Sequence, residues 1–476
     1  MRRRGVGAKL VVLVACIAGA LGPFACGGDA FTTASGDGGA LTDASLEGSS
    51  GDSMAGDGAI GIEAAPPVEA GGVTLTGNVV DPYFLPLSGV AVHCQGQSAT
   101  TASDGTFTLT GITAPYAITA VVDAPNSHKH AYVFEGASRR SPTLQLVAEQ
   151  AQTTQTATLN GGLYSHTPNT AGIVFADFPL ATPTVATPSI AIAEGASSYS
   201  GGLSWVGNAS ASATLYALQW LVLNGAPSGY VAYATTQQTL SNGGIASWTV
   251  PPSFGIPQGS MTVTVTPPPG YLPLDIGVFF RPPGSGVAAE IQHGFPGGTN
   301  TAAVVTPNVM GGTLAACGLQ VPEGVDAGPN TPYGYACKTG LGANDSPTLQ
   351  PPPANLFVSP PSTASVGTTF AYQATPSAVN LVIFTTSGSS GPTGDILVIV
   401  TADAQVQVPD LSALGVAFPQ GAVITAAVYA LAPFAGIDTA LGATGYAERL
   451  TDLRFGTAPV TDGEIAYSGV VAFTAQ

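Results

Sequence analysis

The sequence predicts an all-β protein, a multi-domain chain of β-sandwich modules that follows an export signal and a disordered tether. Three observations predict it. Glycine (62) and proline (39) make up about a fifth of the 476 residues, more than the ~12% of ordinary chains and less than the ~25–30% of low-complexity ones. From residue 73 onward, short segments of alternating apolar and polar residues are broken at regular intervals by turn formers, the pattern of half-buried strands. Beyond residue 26 no run of about 18 uninterrupted apolar residues occurs, so no helical membrane span is expected. The mean hydropathy of +0.32 comes instead from Ala and Val spread through the strand-like segments. The Ala-rich stretches at 310–320 and 420–445 hold no long 3.6-residue period, the first being cut by Gly and Cys and the second by Pro433 and several glycines.

The charge balance narrows the function classes. Charged residues are only 8% of the chain and the formal net charge is −17, against roughly 25% charged residues in an average domain. Four of the eleven bases (Arg2, Arg3, Arg4, Lys9) precede the first apolar run, so a chain trimmed there carries 7 bases against 28 acids, a net −21. Seven scattered bases build no basic face, which excludes nucleic acid as a main partner.

The first residues read as an export signal: a positive MRRRGVGAK, then twelve apolar residues, LVVLVACIAGAL, a length that suits a signal peptide and is too short to span a bilayer. Three processing points compete. Ala18-Gly19-Ala20 fits small-x-small cleavage. Leu13-Val14-Ala15-Cys16 has lipobox letters but leaves an apolar stretch of only about six residues. Pro23-Phe24-Ala25-Cys26 keeps the small residue before cysteine and precedes a tether of eight acids and no base, from Gly27 to Gly72. That stretch has too little bulky apolar area to offset its ordering entropy and is expected to be disordered. The arrangement resembles a bacterial lipoprotein, with a signal peptide over 1–25, acylated Cys26 and an acidic Gly/Ser/Asp/Ala tether over 26–72. The resemblance implies attachment to a membrane through the lipid, and Gly27, where lipoproteins retained in the inner membrane often carry Asp, points to the outer membrane.

Of the remaining cysteines, Cys317 and Cys337 bracket nineteen residues rich in turn formers. In an oxidising compartment they are expected to form a disulfide. In SGVAVHC, strand alternation places Val90, Val92 and Cys94 on one face and Ala91 and His93 on the other, so Cys94 is expected in the core and His93 and Cys94 cannot easily share a metal ion.

Residues 73–150 carry a more specific pattern: Gly77-x-Val79-x-Asp81, Pro86-Leu87-x-Gly89-Val90-x-Val92, and Thr101-x-x-Asp104-Gly105-x-Phe107-x-Leu109-x-x-Ile112. This resembles the carboxypeptidase regulatory-like, transthyretin-like module, departing from it at Ala114-Pro115-Tyr116. The resemblance implies a β-sandwich without catalytic residues, of the kind found beside peptidases and in envelope and surface proteins. Independently, Asp104-Gly105 supplies the turn of a tight hairpin, after which Phe107 and Leu109 face the core.

Residues 155–310 read as further strands, enough for one large or two small sandwiches, and hold Trp205, Trp220 and Trp248. Trp220 and Trp248 sit in core-like contexts, so packing is favoured over carbohydrate binding, and Trp205 is the ring to test for a sugar platform. Residues 311–355 are expected as the cysteine loop and a Pro-rich linker, SPTLQPPPANL. From 356 to 476 a last β region follows, whose run PDLSALGVAFPQGAVITAAVYAL resembles the late strands of a fibronectin type III domain. AGIDTALGATGYAERLTDL is expected to hold one short helix.

Reaction motifs are missing. There is no H-E-x-x-H, and none of His93, His128, His130, His166 and His293 begins an H-x-x-E. Neither G-x-S-x-G nor a phosphate-binding G-x-x-x-x-G-K-[ST] occurs. No catalytic, metal or cofactor residue is assigned, and no cofactor is expected. The expected function is a non-enzymatic, lipid-anchored envelope protein that binds or scaffolds, with envelope polysaccharide or other surface proteins as partners. A carbohydrate- or peptide-binding accessory of a polysaccharide-processing system and a secreted hydrolase are the alternatives.

Overall fold

The computed structural model describes residues 72–476 apart from 125–127, 150, 164–167, 179–188, 252–254, 295–299, 326–327, 329, 387–394 and 447–460. The export signal, Cys26 and the tether lie outside the described residues. Strands dominate, and they form several β-sandwich-like modules.

Alternation builds the first sandwich. One sheet runs in the order Thr106–Ile112, Val73–Val80, Thr143–Gln145, and the other contains Gln97–Thr100, Ala91–Cys94, Tyr116–Asp123 and Lys129–Ala137. Val90, Val92, Cys94, Phe107 and Leu109 are all buried between them. Gly105 turns the hairpin at φ 76°, and a Cβ there would meet the Val79 carbonyl oxygen at 2.6 Å, so only glycine fits. Asp81 is fully buried and organises the next loop, its Oδ1 accepting the Tyr83 and Leu85 amides at 2.8 and 2.9 Å.

In the second sandwich Ser198–Val206, Thr154–Gly162 and Ile245–Ser247 face a four-stranded sheet ordered Ser189–Ile192, Thr170–Asp177, Ser210–Leu223, Ala226–Ser241. That sheet is apolar on both sides. Val174, Ala176, Leu215 and Ala217 point into its own core, while Ile173, Phe175, Tyr216 and Leu218 join Met261, Val263, Ile276 and Val278 of the third sandwich. The third pairs Thr301–Pro307, Gln258–Val265 and Thr348–Leu349 against Ala289–Gly294, Tyr271–Arg281, Thr313–Pro322 and Tyr333–Leu341. Residues 311–355, expected as a loop and a linker, therefore supply three strands. The Pro-rich joint is also packed rather than free: Gln320 Nε2 donates to the Pro351 and Pro352 carbonyls at 2.9 and 2.7 Å, and the Ala354 amide donates to Tyr271 OH at 3.0 Å.

The last sandwich sets Phe357–Val358, Thr369–Tyr372 and Gln405–Gln407 against Ile396–Thr401, Val379–Thr386, Val423–Ala432 and Gly463–Ala475. The short helix expected within residues 435–453 is Ile437–Ala440. This sandwich is not an isolated bead. Ile396–Thr401 runs parallel to Lys129–Ala137 of the first sandwich, in register from His130↔Ile396 to Phe134↔Val400. Gly463–Ala475 pairs antiparallel with Tyr333–Leu341 of the third, from Tyr333↔Tyr467 to Cys337↔Gly463. One 13-stranded sheet thus passes through the third, last and first sandwiches. Parallel strands are ordinarily covered on both faces, and Ile396–Thr401, ILVIVT, is buried at every position. Ile396, Val398 and Val400 share one core with Tyr132 and Phe134, and Leu397 and Ile399 share the opposite one with Ala131 and Val133.

Candidate functional site at the seam of the first and last sandwiches

The residues singled out in the sequence fall in separate places. Cys317 and Cys337 form a disulfide between directly opposed positions of adjacent antiparallel strands, with Cα atoms 4.1 Å apart. Both are buried, and Tyr335 OH lies 3.0 Å from Cys337 Sγ. Cys94 is in the first core, where burial pushes its thiol up to about 11, so it stays protonated and unreactive at neutral pH. Burial likewise lowers the His93 pKa and keeps that imidazole neutral. His166 lies outside the described residues, and His293 lies in the strand Ala289–Gly294. Trp205 is not a surface ring: it is 4% exposed, stacked on Phe178 at 5.1 Å, with Nε1 donating to the Asn208 carbonyl at 2.9 Å. The alternative of a sugar platform finds no exposed ring at Trp205, and the packing reading of the tryptophans holds there. Trp248 is buried, and Trp220 is half-buried and edge-on to Tyr230.

What the chain does bring together is a seam between residues more than 250 positions apart. At the start of the strand Lys129–Ala137, Asp395 Oδ1 accepts the Lys129 amide at 2.9 Å and lies 3.3 Å from His128 Nδ1. Two residues on, His130 Nδ1 lies 2.6 Å from Glu149 Oε1, which also accepts Tyr132 OH at 2.8 Å. At the other end of the strand, Asp438 Oδ1 accepts the amides of Ser138 and Arg139 at 2.8 and 3.0 Å. Tyr446 donates its amide to Gln145 Oε1 and its hydroxyl to the Gln145 carbonyl at 2.7 and 2.6 Å, and the Thr143 amide donates to the Leu441 carbonyl at 2.8 Å. Residues 438–446 therefore bind the first sandwich, in addition to the sheet it shares with Ile396–Thr401.

The chemistry of this seam is that of a clamp. Each of its two imidazoles faces a carboxylate that fixes a neighbouring segment, and the nearby Tyr132 hydroxyl is committed to Glu149. Among the described residues, no group of three His, Cys, Asp or Glu side chains could hold a metal ion.

Glu135 gives the seam a measurable pH signature. It lies in the strand Lys129–Ala137, and burial raises its pKa, helped by the like charge of Asp403 and opposed by a hydrogen bond from Thr401. The folded protein therefore holds this proton to higher pH than the unfolded chain, where a glutamate ordinarily titrates near ~4.3. Its contribution to stability is present below that value and is lost as pH rises through the folded pKa. Glu135→Gln is expected to raise the melting temperature at pH 7 and to flatten its fall between pH 4 and pH 7. Parallel wild-type and mutant curves would remove Glu135 from the account.

These sheets and cores define a protein of the multi-module β-sandwich class. No family model and no curated protein sequence matches the chain. Among solved structures it is similar to the Bacillus anthracis TIE protein, at 13% identity and a TM-score of 0.16, covering 59% of this chain and 50% of that one. It is also similar to BcpA, the major pilin subunit of Bacillus cereus, at 8% and 0.13, covering 59% and 99%. A third is a tetra-tandem repeat from the extending region of a large adhesion protein, at 11% and 0.14, covering 85% and 100%. The chain spans half the length of the TIE protein. Likenesses of this size carry no statement about role.

Proposed function

We propose that this is a non-enzymatic, lipid-anchored protein of the cell envelope, attached to the outer membrane through Cys26, whose sandwiches form a rigid platform for binding or scaffolding. The observation that carries the proposal is the seam: the first sandwich, which follows the tether, shares a sheet and a core with the last and is thereby joined to the third. A body built this way transmits its attachment to the whole surface instead of hanging as independent beads. The buried Cys317–Cys337 disulfide supports an oxidising compartment. The Asp104-Gly105 hairpin and the buried Asp81 support reading residues 73–150 as a carboxypeptidase regulatory-like module, used here for construction.

The test is intact-mass analysis of the mature N-terminus, with labelled palmitate incorporation compared between wild type and Cys26→Ser. The expected result is a diacylglyceryl cysteine at position 26 and no label in the mutant. A mature chain beginning at Leu21 with an unmodified Cys26 would make the protein secreted and end the anchoring proposal.

A further inference from the structure

A cleft opens at one end of the last sandwich. Leu397, Val408, Leu411, Val416, Phe418 and Phe473 line it, and its volume is about 90 Å³. The segment from Pro409 to Gly421 roofs it. Leu411 and Val416 reach down into the core, while the backbone bonds inside this segment are local ones: Leu414 and Val416 amides to the Leu411 carbonyl, and the Gly415 amide to Ser412. Gly415 and Gly421 take φ of 77° and 81° at its bend and its end, conformations that suit glycine. The roof is thus held down by apolar contact along its length and, at its end, by the Gly421 amide, which donates to the Ala475 carbonyl at 2.8 Å.

The mouth is charged. Asp410 lines it, and its Oδ1 accepts the Ser412 amide and hydroxyl at 3.1 and 2.6 Å. Those bonds favour the ionised form and lower the Asp410 pKa. Among the described residues no cation pairs with this carboxylate. Lys129, which lies beside Gly415, pairs its ammonium with Asp123 at 3.0 Å.

We propose that this cleft is a binding site for small amines carrying one aromatic or branched aliphatic group, with the apolar group under the roof and the ammonium at Asp410. An apolar-lined cavity of about 150 Å³ takes up benzene or xenon. A cleft of about 90 Å³ is smaller than that, so a ring enters it only in part and its substituted end stays at the mouth, where the carboxylate sits. An anion of the same shape meets Asp410 and is repelled, and the chain's excess of acids disfavours it further. The proposal is independent of how the protein is anchored.

Saturation-transfer NMR and calorimetry on the full chain, with 2-phenylethylamine, ethylbenzene and phenylacetate as probes, test it. The amine is expected to bind more tightly than ethylbenzene by roughly two- to five-fold, the range of an exposed ion pair, and phenylacetate more weakly than both. The amine's advantage is expected to shrink in high salt. Asp410→Asn is expected to abolish the advantage and leave ethylbenzene binding unchanged. Ala417→Phe, at an exposed position on the mouth, is expected to block all probes while the melting temperature holds. No binding by any probe, equal binding of amine and acid, or an amine advantage that survives Asp410→Asn would overturn the proposal.

Discussion

Phe134→Ala is expected to destabilise the first and last sandwiches together, by about 3–5 kcal/mol, the cost of removing a buried aromatic from a packed core. Phe134 is fully buried, pairs with Ile118 of its own sandwich on one side and runs beside Val400 of the last on the other. Its ring belongs to the core that also holds Val398, Val400 and Leu431. The cavity left behind is therefore lined from both sandwiches, and neither can relax into it alone. Urea unfolding followed by circular dichroism should show the main transition moving to lower urea without splitting. Tryptophan fluorescence is a useful contrast, because all three tryptophans lie in the second sandwich, away from the mutation. A mutant that gained a separate early transition would show that the first sandwich folds by itself.

Removing the disulfide is expected to cost about as much. Cys317 and Cys337 are separated by 20 positions, and closing a loop of that size stabilises by roughly 3 kcal/mol in the chain-entropy account. The bridge also sits next to a junction, since Cys337 pairs with Gly463 where the third sandwich meets the last. Two variants separate the contributions. Replacing both cysteines with Ala removes the cross-link together with two buried sulfur atoms, whereas replacing both with Ser adds two buried hydroxyls and costs more. Under denaturing conditions, reductant should lower the wild-type midpoint toward that of the Ala pair and leave both double mutants unmoved. A wild type insensitive to reductant after the bridge has been opened would contradict this.

Much of the local fold was legible because strands announce themselves by short-range rules. Alternation placed Val90, Val92 and Cys94 in one core, Asp104-Gly105 marked its hairpin, and the turn-rich spacer between Cys317 and Cys337 marked the disulfide, though not the strands that carry it. The seam was not legible, for a physical reason. Which open sheet edges meet after the hairpins have formed is decided by the fit of whole faces, and His130↔Ile396 is a pairing across more than 250 residues. One signal was present: VNLVIF and ILVIVT are apolar at successive positions rather than alternate ones, as strands covered on both faces are. It tells that a second cover exists but not which segment supplies it. Trp205, for which packing was favoured over a sugar platform, could not be settled from the sequence for a related reason. A lone Trp near a strand end reads alike whether it faces solvent or a neighbour, and Phe178, 27 positions away, decided the matter. The Pro-rich joint misled because proline composition reports stiffness and says nothing of packing, and here Gln320 and Tyr271 hold it in place.

The measurement that bears most directly on the account is hydrogen exchange across the seam, read by mass spectrometry on the full chain at rising urea, in wild type and in Phe134→Ala. If the first and last sandwiches are one body, the amides of 131–134 and of 397–400 will open with the same free energy and the same urea dependence, and the mutation will lower both by the same amount. If 131–134 exchange early while 397–400 stay protected, the shared sheet is a contact between independent modules, and the rigid platform falls with it.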